Sequence, residues 1–129
     1  MSKKYLIVGG VAGGMSAATR LRRLQEDAEI IVFEKGPHVS FANCGLPYYI
    51  SGEIARREQL IVQTSKALTQ RFRLDIRENS EVVKIEPEQK MIVVSADGKM
   101  YKESYDALVL SPGARPILPR LDGISEAKN

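Results

Sequence analysis

The chain contains one cysteine and one histidine among 129 residues. A lone cysteine can form neither an internal disulfide framework nor a two-cysteine redox pair. Only 6% of residues are aromatic, the basic residues are scattered, and no recognition motif stands out, so a nucleic-acid partner is not expected. No apolar run is long enough to cross a membrane. The opening MSKKYLIVGG has its short apolar run broken by glycines, unlike a secretory leader. There is no repeat, no low-complexity tract and no metal-ligand cluster to assign. These absences point to a cytoplasmic protein without a membrane or nucleic-acid partner. What remains is 43% hydrophobic and 27% charged, enough to bury one real core at this length. A net charge of +3 permits an anionic partner without naming one.

The N-terminal stretch KKYLIVGGVAGGMSAATRLRRL carries the first signal. Tyr5 to Val8 reads as a buried strand. Gly9, Gly10, Gly13 and Gly14 break it, and a helical pattern begins near Gly13. Strand, glycine-rich turn and helix together aim backbone N–H groups at a pyrophosphate. A second apolar strand, Glu29 to Phe33, ends in Glu34, twenty residues beyond Gly14. A dinucleotide fold places there the carboxylate that accepts from the adenosine ribose hydroxyls, and a carboxylate disfavours a 2′-phosphate. The glycine pattern departs from the usual G-x-G-x-x-G, because Val11 stands at the middle glycine. A structural strand–helix turn without a nucleotide is the alternative.

The second signal is SFANCGLPYYISGE, which holds the only cysteine, Cys44. Small and polar residues lead up to it, and a helix start is expected just after it. A helix N-terminus favours thiolate over thiol. Its ~0.3–1 kcal/mol is too little by itself, so an electron-poor bound ring would have to assist. The alternative is an inert, buried small hydrophobe.

On the first helix, Ser16, Arg20 and Arg23 share one face, and Ala17, Leu21 and Leu24 form a parallel apolar stripe expected to face the core. Arginine pairs well with phosphates, yet a solvated basic face near a helix C-terminus is an equally physical reading. Further along, 55–63 reads as a connection, and Thr64 or Ser65 caps a short helix to about Phe72. Leu74 to Arg77 is a short strand. Glu81 to Glu86 and Met91 to Ser95 form a meander with Pro87 and Glu88 near the turn. Asp97-Gly98 is a hairpin signal leading into Lys99 to Glu103. Tyr105 to Leu110 is a last strand, ending at Ser111-Pro112-Gly113. Residues 1–113 read as one segment and 114–129 as a linker. His38 is assigned no role.

Three motifs, IVGGVAGG, SFANCGLPY and SYDALVLSPGARP, together resemble the N-terminal FAD-binding segment of the flavin- and pyridine-nucleotide-dependent disulfide reductases. Among these the chain is most similar to the coenzyme A-disulfide and CoA-persulfide reductases. The resemblance implies an α/β, Rossmann-like FAD-binding domain, incomplete here, with a central parallel sheet, flanking helices and an inserted antiparallel meander. It implies FAD contacts at Gly9, Val11, Ala12, Gly13, Glu34, Lys35, Val83, Ser111 and Gly113, with Pro112 in the same turn. It makes Cys44 the catalytic nucleophile and Ser16, Arg20, Arg23, Ser40 and Asn43 the CoA contacts. Arg71 and Arg73 lie near a further basic CoA position.

The related NADH oxidases and peroxidases carry a histidine in the glycine-rich turn, where this chain has Ala12, and lack the asparagine before the cysteine, where it has Asn43. A fragment of such an enzyme, or an inactive FAD- or CoA-binding module, is the alternative function. The expected chemistry is reduction of CoA disulfide or persulfide by NADH or NADPH through a Cys44–CoA mixed disulfide. The family's nicotinamide domain and dimerisation domain have no counterpart in this sequence. The resemblance therefore implies a homodimeric parent and little turnover by this chain alone.

Overall fold

A computed structural model describes residues 2–127. Two apolar strands set the architecture. β1 (Lys4–Val8) and β2 (Glu29–Phe33) pair in parallel, with Leu6 opposite Ile31. β3 (Asp75–Arg77) adds beside β2 and β7 (Ala107–Leu110) beside β1, giving a four-stranded parallel sheet in the order β3-β2-β1-β7. A parallel sheet requires cover on both faces, and the side-chain period of two sorts β1 and β2 accordingly. Tyr5, Ile7, Ile30 and Val32 point to one face, where they meet Met15 and Ala18 of helix α1 (Ala12–Leu24) and Leu68 of helix α3 (Ser65–Phe72). Leu6, Ile31 and Phe33 point to the other, against Ile92 and Val94. Those two residues belong to the antiparallel meander of β4 (Ser80–Glu86), β5 (Met91–Ala96) and β6 (Lys99–Ser104). Full burial of side chains of this size stabilises by about 1.5–3 kcal/mol each.

The local signals are satisfied by identifiable contacts. The Thr64 hydroxyl accepts from the Ala67 amide and caps α3. Asp97 and Gly98 both have positive φ, 50° and 73°, as a type I′ hairpin turn requires. Short 3₁₀ turns occupy Arg57–Leu60 in the 55–63 connection and Pro87–Gln89 between β4 and β5. From 114 to 127 the backbone is exposed and irregular apart from a 3₁₀ turn at Ile124–Glu126.

Two expectations need correction. The apolar stripe on α1 does not run its full length: Ala17 and Leu21 pack against the core, but Leu24 is 63% exposed. The buried face is instead Gly14, Met15 and Ala18, because β1 passes under the N-terminal half of the helix. The helix expected straight after Cys44 is also shorter than a regular N-terminus would be. Cys44 lies inside a 3₁₀ turn, Asn43–Gly45, which runs into the five-residue helix α2 (Leu46–Ile50). So short a helix aligns little more than one turn of peptide dipoles.

The meander is tied to the sheet by charge as well as by packing. Glu103 on β6 accepts from Lys4 on β1 and from Arg77 on β3, the latter at 2.7 Å. Arg77 also stacks over the rings of Phe33 and Tyr101. Burial would push the Glu103 carboxyl up, but the hydrogen bonds from Lys4 and Arg77 outweigh it and hold the group below the usual carboxylate range.

Candidate nucleotide cradle and cysteine cleft

Strands β1, β2 and β7 all end on the same edge, where open α/β sheets bind their ligands. The turn after β1 is held from both sides: the Gly9 amide donates to Phe33 O and the Ser111 amide to Val8 O, each at 2.8 Å. Gly9 has φ +96°, and a Cβ there would lie 1.9 Å from Ser111 O. A Cβ on Gly14 would lie 1.7 Å from Gly9 O, so this glycine lets α1 sit close against the turn. A Cβ on Gly13 would meet Ser111 Oγ at 2.4 Å. Ser111 thus closes the turn from β7, while Gly113 beyond it has φ +75° and open space around it.

Helix α1 starts after Val11 with no side-chain cap and no acid in its first turn. Among the described residues no side chain caps its leading N–H groups, the donors that a helix start offers to an anion. The Glu34 carboxylate accepts from the amides of Gly10 at 3.0 Å and Gly36 at 2.7 Å. A carboxylate has about four acceptor positions, so it retains capacity for ribose hydroxyls. An uncapped helix start, a turn in which side chains are forbidden and a carboxylate at its rim fit a dinucleotide. Gly9, Glu34, Lys35 and Pro112 border a cleft of about 160 Å³ that runs from this turn toward the meander. Lys35 is held there by Glu81 at 2.9 Å. Val82, not Val83, lines that cleft: a bulge in β4 leaves Val83 without a partner on β5, and the residue is 48% exposed.

On the other side of Val11 lies a cleft of about 460 Å³ between α1, the cysteine loop and α3. Ala12, Ser16, Ser40 and Cys44 border it together, and Cys44 is exposed. The buried placement weighed as an alternative for this cysteine is therefore not what the structure shows. The loop is pinned by the Ser40 amide to Gly10 O, the Ala42 amide to Leu60 O and a bridge between Phe41 and Ile61. Asn43 borders a neighbouring cleft of about 230 Å³ with Val11, Glu34 and Arg57.

The basic residues divide. Arg71 borders the Cys44 cleft and lies over the Phe72 ring at 5.3 Å, with Arg23 of α1 over the same ring at 5.8 Å. Arg20 lies on the same exposed face of α1 as Ser16 and Arg23. Arg73 is turned away, donating to Glu26 O at 2.9 Å. Thr19 and Gln63 also border the cleft and went unremarked in the sequence. Thr19 follows Ser16 by three positions, so helical spacing could have found it. Gln63 carries no sequence signal, since the Phe41–Ile61 bridge delivers it.

The model of the family described as pyridine nucleotide-disulphide oxidoreductase matches residues 3–129. The coenzyme A disulfide reductase of Staphylococcus epidermidis is 42% identical over 113 residues, 86% of this chain and 26% of that protein. The crystal structure of reduced Bacillus anthracis CoADR-RHD superposes with a TM-score of 0.93 at 56% identity, over 99% of this chain and 23% of that one. An NAD-dependent persulfide reductase from A. fulgidus gives a TM-score of 0.89 at 33% identity, over 94% of this chain and 23% of that one. The chain spans about a quarter of the length of these relatives. With a glycine cradle and a cysteine cleft meeting at Val11, and a family model matched along nearly its whole length, the chain belongs to the pyridine nucleotide-disulphide oxidoreductases.

Proposed function

We propose that this chain is the FAD-binding part of a single-cysteine reductase that acts on CoA disulfide or CoA persulfide. One observation carries the reading: Cys44 opens on the same cleft as Ser16 and Arg71, and that cleft adjoins the glycine cradle at Val11. Gly9, Val11, Ala12 and Gly13, with Glu34 and Lys35, would hold the dinucleotide, and Ser111 and Gly113 would border it, with Val82 in the place expected of Val83. Bound there, FAD supplies the two electrons, drawn from NADH or NADPH, that return an oxidised Cys44 to the thiolate.

The residues of the chain perform the rest. The Cys44 thiolate attacks one sulfur of CoA disulfide; the S–S bond breaks, and one CoA leaves as thiolate and takes up a proton. With CoA persulfide the leaving group is hydrosulfide. Either way Cys44 is left in a mixed disulfide with CoA, and two electrons and one proton release that CoA as its thiol and restore the Cys44 thiolate. Ser40 and Asn43 flank the sulfur and orient the pantetheine arm. Ser16, Arg20 and Arg23, joined by Arg71, take the phosphates, for which a guanidinium offers paired donors. Residues 114–129 serve as the linker to a nicotinamide domain, and the whole enzyme works in the cytoplasm as a homodimer.

Native mass spectrometry of the chain after incubation with FAD and CoA disulfide tests this reading. A bound FAD mass and a CoA-sized adduct on Cys44, removed by dithiothreitol and absent in Cys44→Ser, are expected. A bare polypeptide mass throughout would overturn it.

A further inference from the structure

Three arginines crowd the second half of α1, and the structure gives one of them a different task. Arg20 and Arg23 are exposed. Arg22 turns the other way and donates to five backbone carbonyls. Its Nη1 reaches Glu26 O at 2.6 Å, Ala28 O at 2.7 Å and Gln25 O at 3.3 Å, around the end of α1 and the start of β2. Its Nε reaches Phe72 O and its Nη2 reaches Arg73 O, both at 2.8 Å, at the end of α3. One planar guanidinium therefore joins the C-terminal ends of the two helices that wall the Cys44 cleft. These carbonyls have no partner within a helix, and a cation among them also offsets the converging negative helix ends.

We infer that Arg22 is a positioning residue for the nucleotide end of the substrate, setting the spacing of α1 and α3 and so of Arg23 against Arg71. This rests on the CoA reading of the cleft. Phe72 is the link, because its carbonyl is held by Arg22 while its ring lies beneath both phosphate-binding arginines. Arg22 does not contact substrate. All three of its nitrogens donate to backbone carbonyls spread over both helix ends, a span that a lysine ammonium with three donors at one point cannot reproduce.

The test compares rates of Cys44 mixed-disulfide formation with CoA disulfide and with pantethine, the same disulfide arm without the nucleotide, measured by mass spectrometry. The wild-type chain is expected to react faster with CoA disulfide. Arg22→Lys and Arg22→Gln should keep the pantethine rate and lose roughly tenfold or more of the preference, since misplacement of a group by about an ångström can cost as much as roughly a hundredfold. General destabilisation would slow or speed both reagents together, leaving the ratio unmoved. A folded Arg22→Lys chain with the wild-type ratio would overturn the inference and leave the CoA reading standing. A wild-type chain with no preference would overturn both. Should Arg22→Gln fail to fold, the ratio for Arg22→Lys decides.

Discussion

The amide of Ser40 donates to the carbonyl of Gly10 at 2.8 Å, so the cysteine loop hangs directly from the glycine-rich turn. Ser40 accepts the Val62 amide in return and is held at φ +55°, a left-handed conformation that disfavours a branched side chain. Ser40→Val should therefore lower stability by about 1–3 kcal/mol while Ser40→Gly should not. Urea unfolding midpoints compare them, and equal midpoints would contradict the strained geometry.

Gly14→Ala places a methyl group where Gly9 O already is, and only backbone movement can relieve it. A cost of about 1–3 kcal/mol or more is expected, with loss of FAD binding, because the helix start is displaced from the turn. Thermal unfolding and flavin fluorescence titration read the two effects separately. An alanine variant with unchanged melting and affinity would count against the close approach of α1 to β1.

Glu34→Gln keeps the size of the side chain but removes its charge and turns an amide toward one of the two N–H groups it now serves. Charge-assisted hydrogen bonds are worth about 1.5–3 kcal/mol each. FAD affinity should fall by roughly 10- to 100-fold at about 1.4 kcal/mol per decade, with the far-ultraviolet circular dichroism preserved. Undiminished FAD affinity would remove Glu34 from the cradle.

The Glu103 carboxyl titrates below its ordinary range in the folded chain, held down by Lys4 and Arg77 against the opposing effect of burial. A group depressed in this way contributes stability above its unfolded pKa, near 4.3, and loses it as pH falls through the lower folded value. Glu103→Gln should cost about 1–2 kcal/mol at pH 7 and less at pH 3, below the unfolded pKa. Urea melts at both pH values measure this. A penalty as large at pH 3 would mean the contribution is packing rather than charge.

A steady-state assay with CoA disulfide and NADPH is expected to show little or no turnover by this chain alone. Its sequence has a single glycine-rich βαβ unit, the one the proposed FAD site uses. Robust turnover would overturn the division of labour proposed for the family's domains.

The strands were legible because both β1 and β2 are buried on two faces, and such strands appear as unbroken apolar runs. Glu34 was legible because its spacing from the glycines is set by the length of one crossover helix. The reach of the apolar stripe to Leu24 was not, since the pattern shows which way a helix faces but not where the sheet beneath it ends. The bulge that turns Val83 outward has no glycine or proline to announce it. Arg22 reads like its basic neighbours because its partners are backbone carbonyls, and three of the five belong to residues close by in sequence while two come from around position 72.

β7 closes the sheet against β1 from the far end of the chain: the Lys4 amide donates to the Asp106 carboxylate across 102 residues. Loop-closure entropy grows with such separations, and contacts of this range tend to be made late in folding. The meander, joined by short turns, can assemble before them. Ser111, which completes the wall of the glycine turn, rides on that last strand. The cradle is therefore finished only when this long loop shuts, and a ligand held there binds the closed state alone. By mass action the affinity of such a ligand would add to the stability of the β1–β7 seam, linking binding at the cradle to final closure of the sheet.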